Sequence, residues 1–229
     1  VGSEMCIRDR MRLARARILA LAKLMSQPDY YCGESAMRPA DAPDALNVPL
    51  MGMANQNFYT DVINLSGTAG AIYPDHPEAA KWRGEFIRLF SRQLDVHCYQ
   101  SGVWEESHTY FQHVLLTVLP LMLMLRDRGE CDFFADTRFR KMLRATAAQL
   151  TPRDRLTGDF RHLVAFGDHE GSIDPYRILW RHFATATAPH DRELAAQLNR
   201  MARECGGTPD ETLPETPIPW ENEYLPGLG

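Results

Sequence analysis

Apolar residues recur at three- and four-residue spacing along most of this chain, and two-residue alternation is nearly absent. That pattern predicts helices. After "DHPE" (Asp75 to Glu78), with an N-cap, an early proline and a third-position Glu, Trp82, Phe86, Leu89, Phe90 and Leu94 form one helical face. Lys81, Arg83, Glu85, Arg88 and Arg92 are expected on the opposite face. Ser107 is placed to cap the next helix, "YFQHVLLTVLPLMLMLRD", which stops at Gly129, bends at Pro120 and is apolar enough to be buried on most sides. A helix follows Asp136 with Phe139, Met142, Leu143, Ala147 and Leu150 inward. "DPYRILWRHFATATA" starts with an Asp cap and a first-position proline, and "DRELAAQLNRMAREC" ends at Gly206 and Gly207. Between these last segments and the helix after Asp136 lies "RLTGDFRHLVAFGDHEGS", a loop rich in Gly, Asp and His. Helix pairs joined by polar loops predict an all-α fold of stacked or toroidal helix hairpins. No fixed-period repeat is present, which disfavours a solenoid of short repeats.

Composition narrows this picture without redirecting it. The 229 residues carry a net charge of -5, which argues against a protein that holds nucleic acid by bulk electrostatics. The longest apolar run, "VLLTVLPLMLML", is short for a bilayer span and is interrupted by Pro120, so no membrane span is expected. Five scattered cysteines include no CxxC pair, so neither a zinc ribbon nor a thioredoxin-type motif is indicated. The absence of GxSxG, P-loop and GxGxxG stretches removes serine hydrolases, NTPases and dinucleotide enzymes.

The ends differ from the middle. "VGSEMCIRDR" (1–10) resembles translated sequencing-adapter read-through and is set apart from the fold. The Arg-rich "MRLARARILALAKLM" that follows reads as an amphipathic helix entered partway through a gene. Residues 11–206 are expected to form the helical domain, and the proline-rich 207–229 a linker or extended arm.

Three segments, taken in order, resemble the helical domain of the heparinase II/III and alginate lyase group of polysaccharide lyases. "GMANQNFYTDVINLSGTAGAIYPDHPEAAKW" is similar to the group's inner helix opening on Asn, followed by a "PE…W" helix. "SGVWEESHTYFQHVLL" is similar to its "DGGWxEGxxY" pattern, with Trp104, Glu106 and Tyr110 at the matching positions, and "LVAFGDHEGS" resembles a "P-x-F/Y-GDS" loop. The resemblance implies an incomplete (α/α) toroid, truncated before a C-terminal β-sandwich domain, and a periplasmic or secreted setting. It departs where many members have Asn-His, for this chain reads Asn55-Gln56-Asn57.

The activity so implied is β-elimination on an acidic, uronate-containing polysaccharide or oligosaccharide. Removing the C5 proton puts negative charge beside a carboxylate, so a donor must neutralise that carboxylate as charge develops. The amides of Asn55, Gln56 or Asn57 suit this role. The resemblance gives Tyr110 the proton transfer, first as base and then as acid towards the leaving oxygen. A phenol of pKa about 10 needs help to ionise near neutrality. His108 and His113 are near in sequence to assist, and the scheme requires no cofactor; a structural metal in the implied β domain stays open. Arg161, His162, Asp168 and His169 are further contributors to substrate binding, with Trp104 and Glu106.

Blander roles compete for each residue. Trp104 suits a core anchor better than a sugar platform, and Tyr110 alone suits a core tyrosine. Asn55 and Asn57 suit helix caps, and Asp168 suits loop bracing. The five-residue separation of His108 and His113 does not match a helical metal pair, and His97 beside Cys98 is no stronger. Two alternatives accompany the lyase reading: a glycoside hydrolase on the same fold using Glu106 and Asp168, and a non-catalytic helical module that binds glycans.

Overall fold

The computed structural model describes residues 2–27, 56–98, 100–104, 107–153, 155–164 and 177–217, apart from the side chains of 2–6, 56–59, 96, 97 and 157. The helices among them are α1 (Gly2–Met25), α2 (Gln56–Ile72), α3 (Ala79–His97), α4 (His108–Asp127), α5 (Thr137–Ala147), α6 (Ile178–Thr187) and α7 (Arg192–Glu204), with 3-10 turns at Phe133–Ala135 and Arg155–Thr157. Within the described residues no strand forms, and extended pairing is limited to isolated antiparallel bridges, Cys98 with Trp104 and Leu150 with Leu163. The described part of the chain is all-α.

Local chemistry fixes several helix ends where the sequence places them. Asp136 accepts from the Arg138 N–H at 2.8 Å to start α5, and Asp191 from Leu194 at 3.0 Å to start α7. At the end of α7 the Gly206 N–H bonds to Arg203 O and the Gly207 N–H to Ala202 O, with Gly206 at φ +77°. That paired arrangement closes a helix against further propagation.

Two starts differ from expectation, and a third falls partly outside the described residues. Asp75 does not cap α3, because its carboxylate pairs with Arg15 of α1; the His76 ring accepts the Glu78 N–H at 3.2 Å instead, and the helix begins at Ala79. Ser107 precedes α4 and its carbonyl accepts from Phe111, yet its buried hydroxyl has no hydrogen-bond partner among the described residues. α6 is described from Ile178, preceded by Arg177 without a side-chain cap; Asp174 and Pro175 lie outside the described residues.

The contacts divide into two units, 1–93 with 117–131 and 94–116 with 132–229. In the first, α1 packs on α2. α1 continues unbroken through Arg10, but Ile7 to Arg17 are exposed. Its contribution to the core begins at Ile18, Leu19 and Ala22, which meet Ala69 and Trp82. A Cβ on Gly67 would lie 2.7 Å from the Leu121 Cδ2 and 2.9 Å from the Phe86 Cβ, so α2 approaches α3 and α4 there without room for a side chain. The expected inward row of α3, Trp82, Phe86, Leu89, Phe90 and Leu94, is buried throughout.

Arg83 corrects the expected polar face of α3. It is only 7% exposed, donating to Gly70 O at 2.8 Å and to the Glu130 carboxylate at 2.6 Å. A guanidinium has donors enough for both partners, so it ties α2 to the segment after α4 instead of facing water. α4 itself passes through Pro120 without ending. Proline removes the hydrogen bond to the carbonyl four residues back, here Leu116, and both residues are exposed, where water can take that carbonyl. By length and composition alone α4 is apolar enough to cross a bilayer, and 56% of its apolar window is buried in the protein, as in a core helix.

In the second unit, α6 and α7 pack as a hairpin and α5 joins α7. The 3-10 turn at 133–135 and these helices share an aromatic core. Phe134 meets Phe139 edge-on at 5.9 Å, and Phe183 lies 5.9 Å from Phe139 and 6.3 Å from Trp180. Residues 208–217, expected as linker or arm, run back along this hairpin. The Asn199 amide, 1% exposed, donates to Asp210 O and Leu213 O and accepts from the Asp210 N–H, while Arg203 pairs with Glu215. Asp210 is held down to about 2, first by the Thr185 hydroxyl and then by Thr212.

The Arg83–Glu130 pair makes a pH-resolved prediction. Arg83, and secondarily Arg128, lowers the Glu130 pKa. A carboxylate whose folded pKa is depressed adds stability above its unfolded pKa and loses it as pH falls through the folded one. Arg83→Ala is therefore expected to cost about 2 kcal/mol at neutral pH and clearly less at about pH 3, in urea melts at both pH values. Equal losses at both would mean that the charge on Glu130 contributes nothing.

Candidate functional site

The polar cluster that opens α4 is built from a short loop and one helix. Gly102 sits at φ +94°, and a Cβ there would lie 2.5 Å from Lys141 O, so only glycine fits the turn against α5. The turn lets Cys98 bridge to Trp104, with the Cys98 thiol against Gly102 O at 3.4 Å. Burial pushes that thiol up, opposed by Lys141 and Arg138. Trp104 is thereby delivered inward: it is 5% exposed and tilts against Phe111 at 5.8 Å. It is a core anchor here, and a sugar has no access to stack on it.

α4 then separates the groups that sequence proximity suggested would cooperate. At 100° per residue, Tyr110 and His108 point about 160° apart, whereas Tyr110 and His113 differ by about 60°. The burial agrees: His108 is 4% exposed, Tyr110 is 37% exposed and His113 is half-buried. The expected assistance of Tyr110 by His108 is corrected on this geometry, while Tyr110 and His113 share the accessible side. Gln112 extends the buried row, its side-chain oxygen enclosed without a hydrogen-bond partner among the described residues.

Arg161 also has a different occupation from the one expected. It is 7% exposed, its Nε lies 3.1 Å from the Glu204 carboxylate, and it donates to Thr151 O at 3.0 Å. The same carboxylate takes Arg153 at 2.8 Å and Arg200 at 2.9 Å. Arg161 is thus part of a buried ion cluster and not a cleft residue. His162 is half-buried beside it, its backbone paired with Thr151 in the short extended stretch that ends in the Leu150–Leu163 bridge. Glu204 had no signal in the sequence, because 43 residues separate it from Arg161.

The other expected site residues stand apart from this geometry. Gln56 and Asn57 open α2, but their side chains lie outside the described residues, as do Asn55, Glu106, Asp168 and His169 entirely. Among the described residues, no group of three or more His, Cys, Asp or Glu side chains converges to hold a metal. The accessible chemistry on α4 is a phenol with an imidazole beside it. Compared with known proteins, the chain matches no family model, and no curated protein or solved structure is similar to it.

Stability measurements separate the two kinds of residue. Glu204→Gln is expected to destabilise by about 3 kcal/mol, since it removes the countercharge from three guanidinium groups. Tyr110→Phe, on the accessible side of α4, is expected to stay within about 0.5 kcal/mol. Comparable losses in urea unfolding would place Tyr110 in the supporting structure instead.

Proposed function

We propose that this chain is the helical portion of a polysaccharide lyase, with an incomplete (α/α) toroid, that cleaves an acidic, uronate-containing polysaccharide by β-elimination. The observation that carries the reading is the accessibility of Tyr110 at the start of an otherwise largely buried helix, with His113 on the same side. The resemblance of "SGVWEESHTYFQHVLL" to the lyase pattern puts the proton-transferring tyrosine at this position. Tyr110 takes the C5 proton as phenolate, electrons move to expel the C4 oxygen, and the phenol returns the proton to that oxygen. His113 positions or polarises the phenol. An amide among Asn55, Gln56 and Asn57 neutralises the substrate carboxylate. A β-sandwich domain following the helical portion completes the enzyme in this reading.

A second reading, a non-catalytic helical module that binds glycans, has a specific observation in its favour. Trp104, His108 and Arg161, three of the residues expected at the site, are buried and do not meet Tyr110 on its accessible side.

The deciding assay uses the intact gene product on alginate, heparin and polygalacturonate, following the ultraviolet absorbance of unsaturated uronate. The lyase reading expects that product, and expects Tyr110→Phe to slow its appearance at least about a hundredfold with the fold retained. Reducing ends without unsaturation would make it a hydrolase. Glycan binding without cleavage by the intact product would establish the module.

A further inference from the structure

Most arginines in the second unit are answered by a carboxylate. Arg138 has Asp95 and Asp136, Arg144 has Asp191, and Arg203 has Glu215, beside the three that meet on Glu204. Arg177 and Arg181 depart from that pattern. They stand one turn apart at the start of α6, are exposed, and their guanidinium groups make no ion pair or hydrogen bond among the described residues. Like charges at this spacing repel each other. α6 also has no acidic residue in its first turn, so both guanidiniums oppose the positive end of the helix dipole. Arg181 acts on Asp210 only through space, and the Asp210 carboxylate is already bonded to the hydroxyls of Thr185 and Thr212.

These two side chains border a cleft of about 260 Å³, completed by Ile178, His182, Gly207 and Thr208 among its walls. Gly207 keeps the floor low: a Cβ there would lie 3.0 Å from both Arg177 O and Ala202 O. Among the described residues no carboxylate lines the cleft, which instead presents two guanidiniums, an imidazole and a hydroxyl. Guanidinium forks match the planar or tetrahedral oxygens of an anion, and an anion here would relieve both the mutual repulsion and the opposition to the dipole.

We infer that this cleft is a binding site for a small oxyanion group, of the phosphate, sulfate or carboxylate class. It is separate from Tyr110 and stands whether or not the chain is a lyase.

The test titrates inorganic phosphate into the full chain at constant ionic strength, following backbone amide resonances. Saturable shifts centred on Ile178, Arg181 and Thr208 are expected. Arg177→Gln with Arg181→Gln should weaken binding about tenfold or more, as loss of charge-assisted hydrogen bonds implies, while Arg192→Gln leaves it unchanged. If the double variant fails to fold, Arg181→Gln alone, at an exposed position, carries the comparison. A uronate disaccharide that displaces phosphate and binds more tightly identifies a sugar-borne anion. Phosphate binding without competition from the sugar identifies a phosphate ligand, and both results support an oxyanion site. Shifts that do not saturate, that spread over arginines elsewhere, or that persist unweakened in the variant overturn it. Tyr110→Phe is expected to leave phosphate binding intact, so failure of the lyase reading and failure of this site are told apart.

Discussion

The carboxylate of Glu204 is the constraint around which the second unit is organised. It is fully buried at the last turn of α7, where an isolated charge would cost several kcal/mol. Three guanidiniums answer it, from Arg153 and Arg161 on the segment after α5 and from Arg200 one turn back on α7. The Glu204 carbonyl also accepts the Arg161 N–H at 2.8 Å. One residue thereby fixes both the backbone and the side chain of Arg161 in the loop after α5. With Arg161 held, His162 and Leu163 fall into register against Thr151 and Leu150.

The same economy recurs where hydrophobic packing is sparse. Arg83 joins α2 to Glu130, and Asn199 clamps the arm at Asp210 and Leu213. Each uses a multivalent polar side chain, buried and satisfied, to hold backbone that no apolar face would retain. The aromatic cluster of Phe134, Phe139, Trp180 and Phe183 supplies the non-directional part of the stability. Polar ties then select which loop goes where. The polar groups that stay accessible beside these ties include Tyr110, with the half-buried His113 on the same side of α4, and the two arginines at the start of α6.

Legibility in the sequence followed the range of the interaction. The inward row of α3, the Asp136 and Asp191 caps and the Gly206–Gly207 stop were all readable, because each involves residues within a few positions of one another. The Asp75 cap was misread since its partner, Arg15, lies 60 residues away and outcompetes the local backbone. Arg83 was misread for a similar reason. At the candidate site, helical spacing puts Tyr110 and His113 on one side and the favoured core role of Trp104 agrees with its burial, whereas His108 was grouped with Tyr110 by sequence proximity alone. Helix geometry turns His108 away, and the Gly102 turn delivers Trp104 inward.

The sequence by itself determined the all-helical character of the described chain and which faces of its helices turn inward, because backbone hydrogen bonding and apolar periodicity are local properties. Only the tertiary structure decided which charges are spent. Arg161, Arg153 and Arg200 look no different along the chain from Arg177 and Arg181. The first three pair with one buried carboxylate, and the last two face a cleft that none lines among the described residues. Coulombic pairing acts through space between residues distant in sequence, and its strength depends on the burial that folding creates.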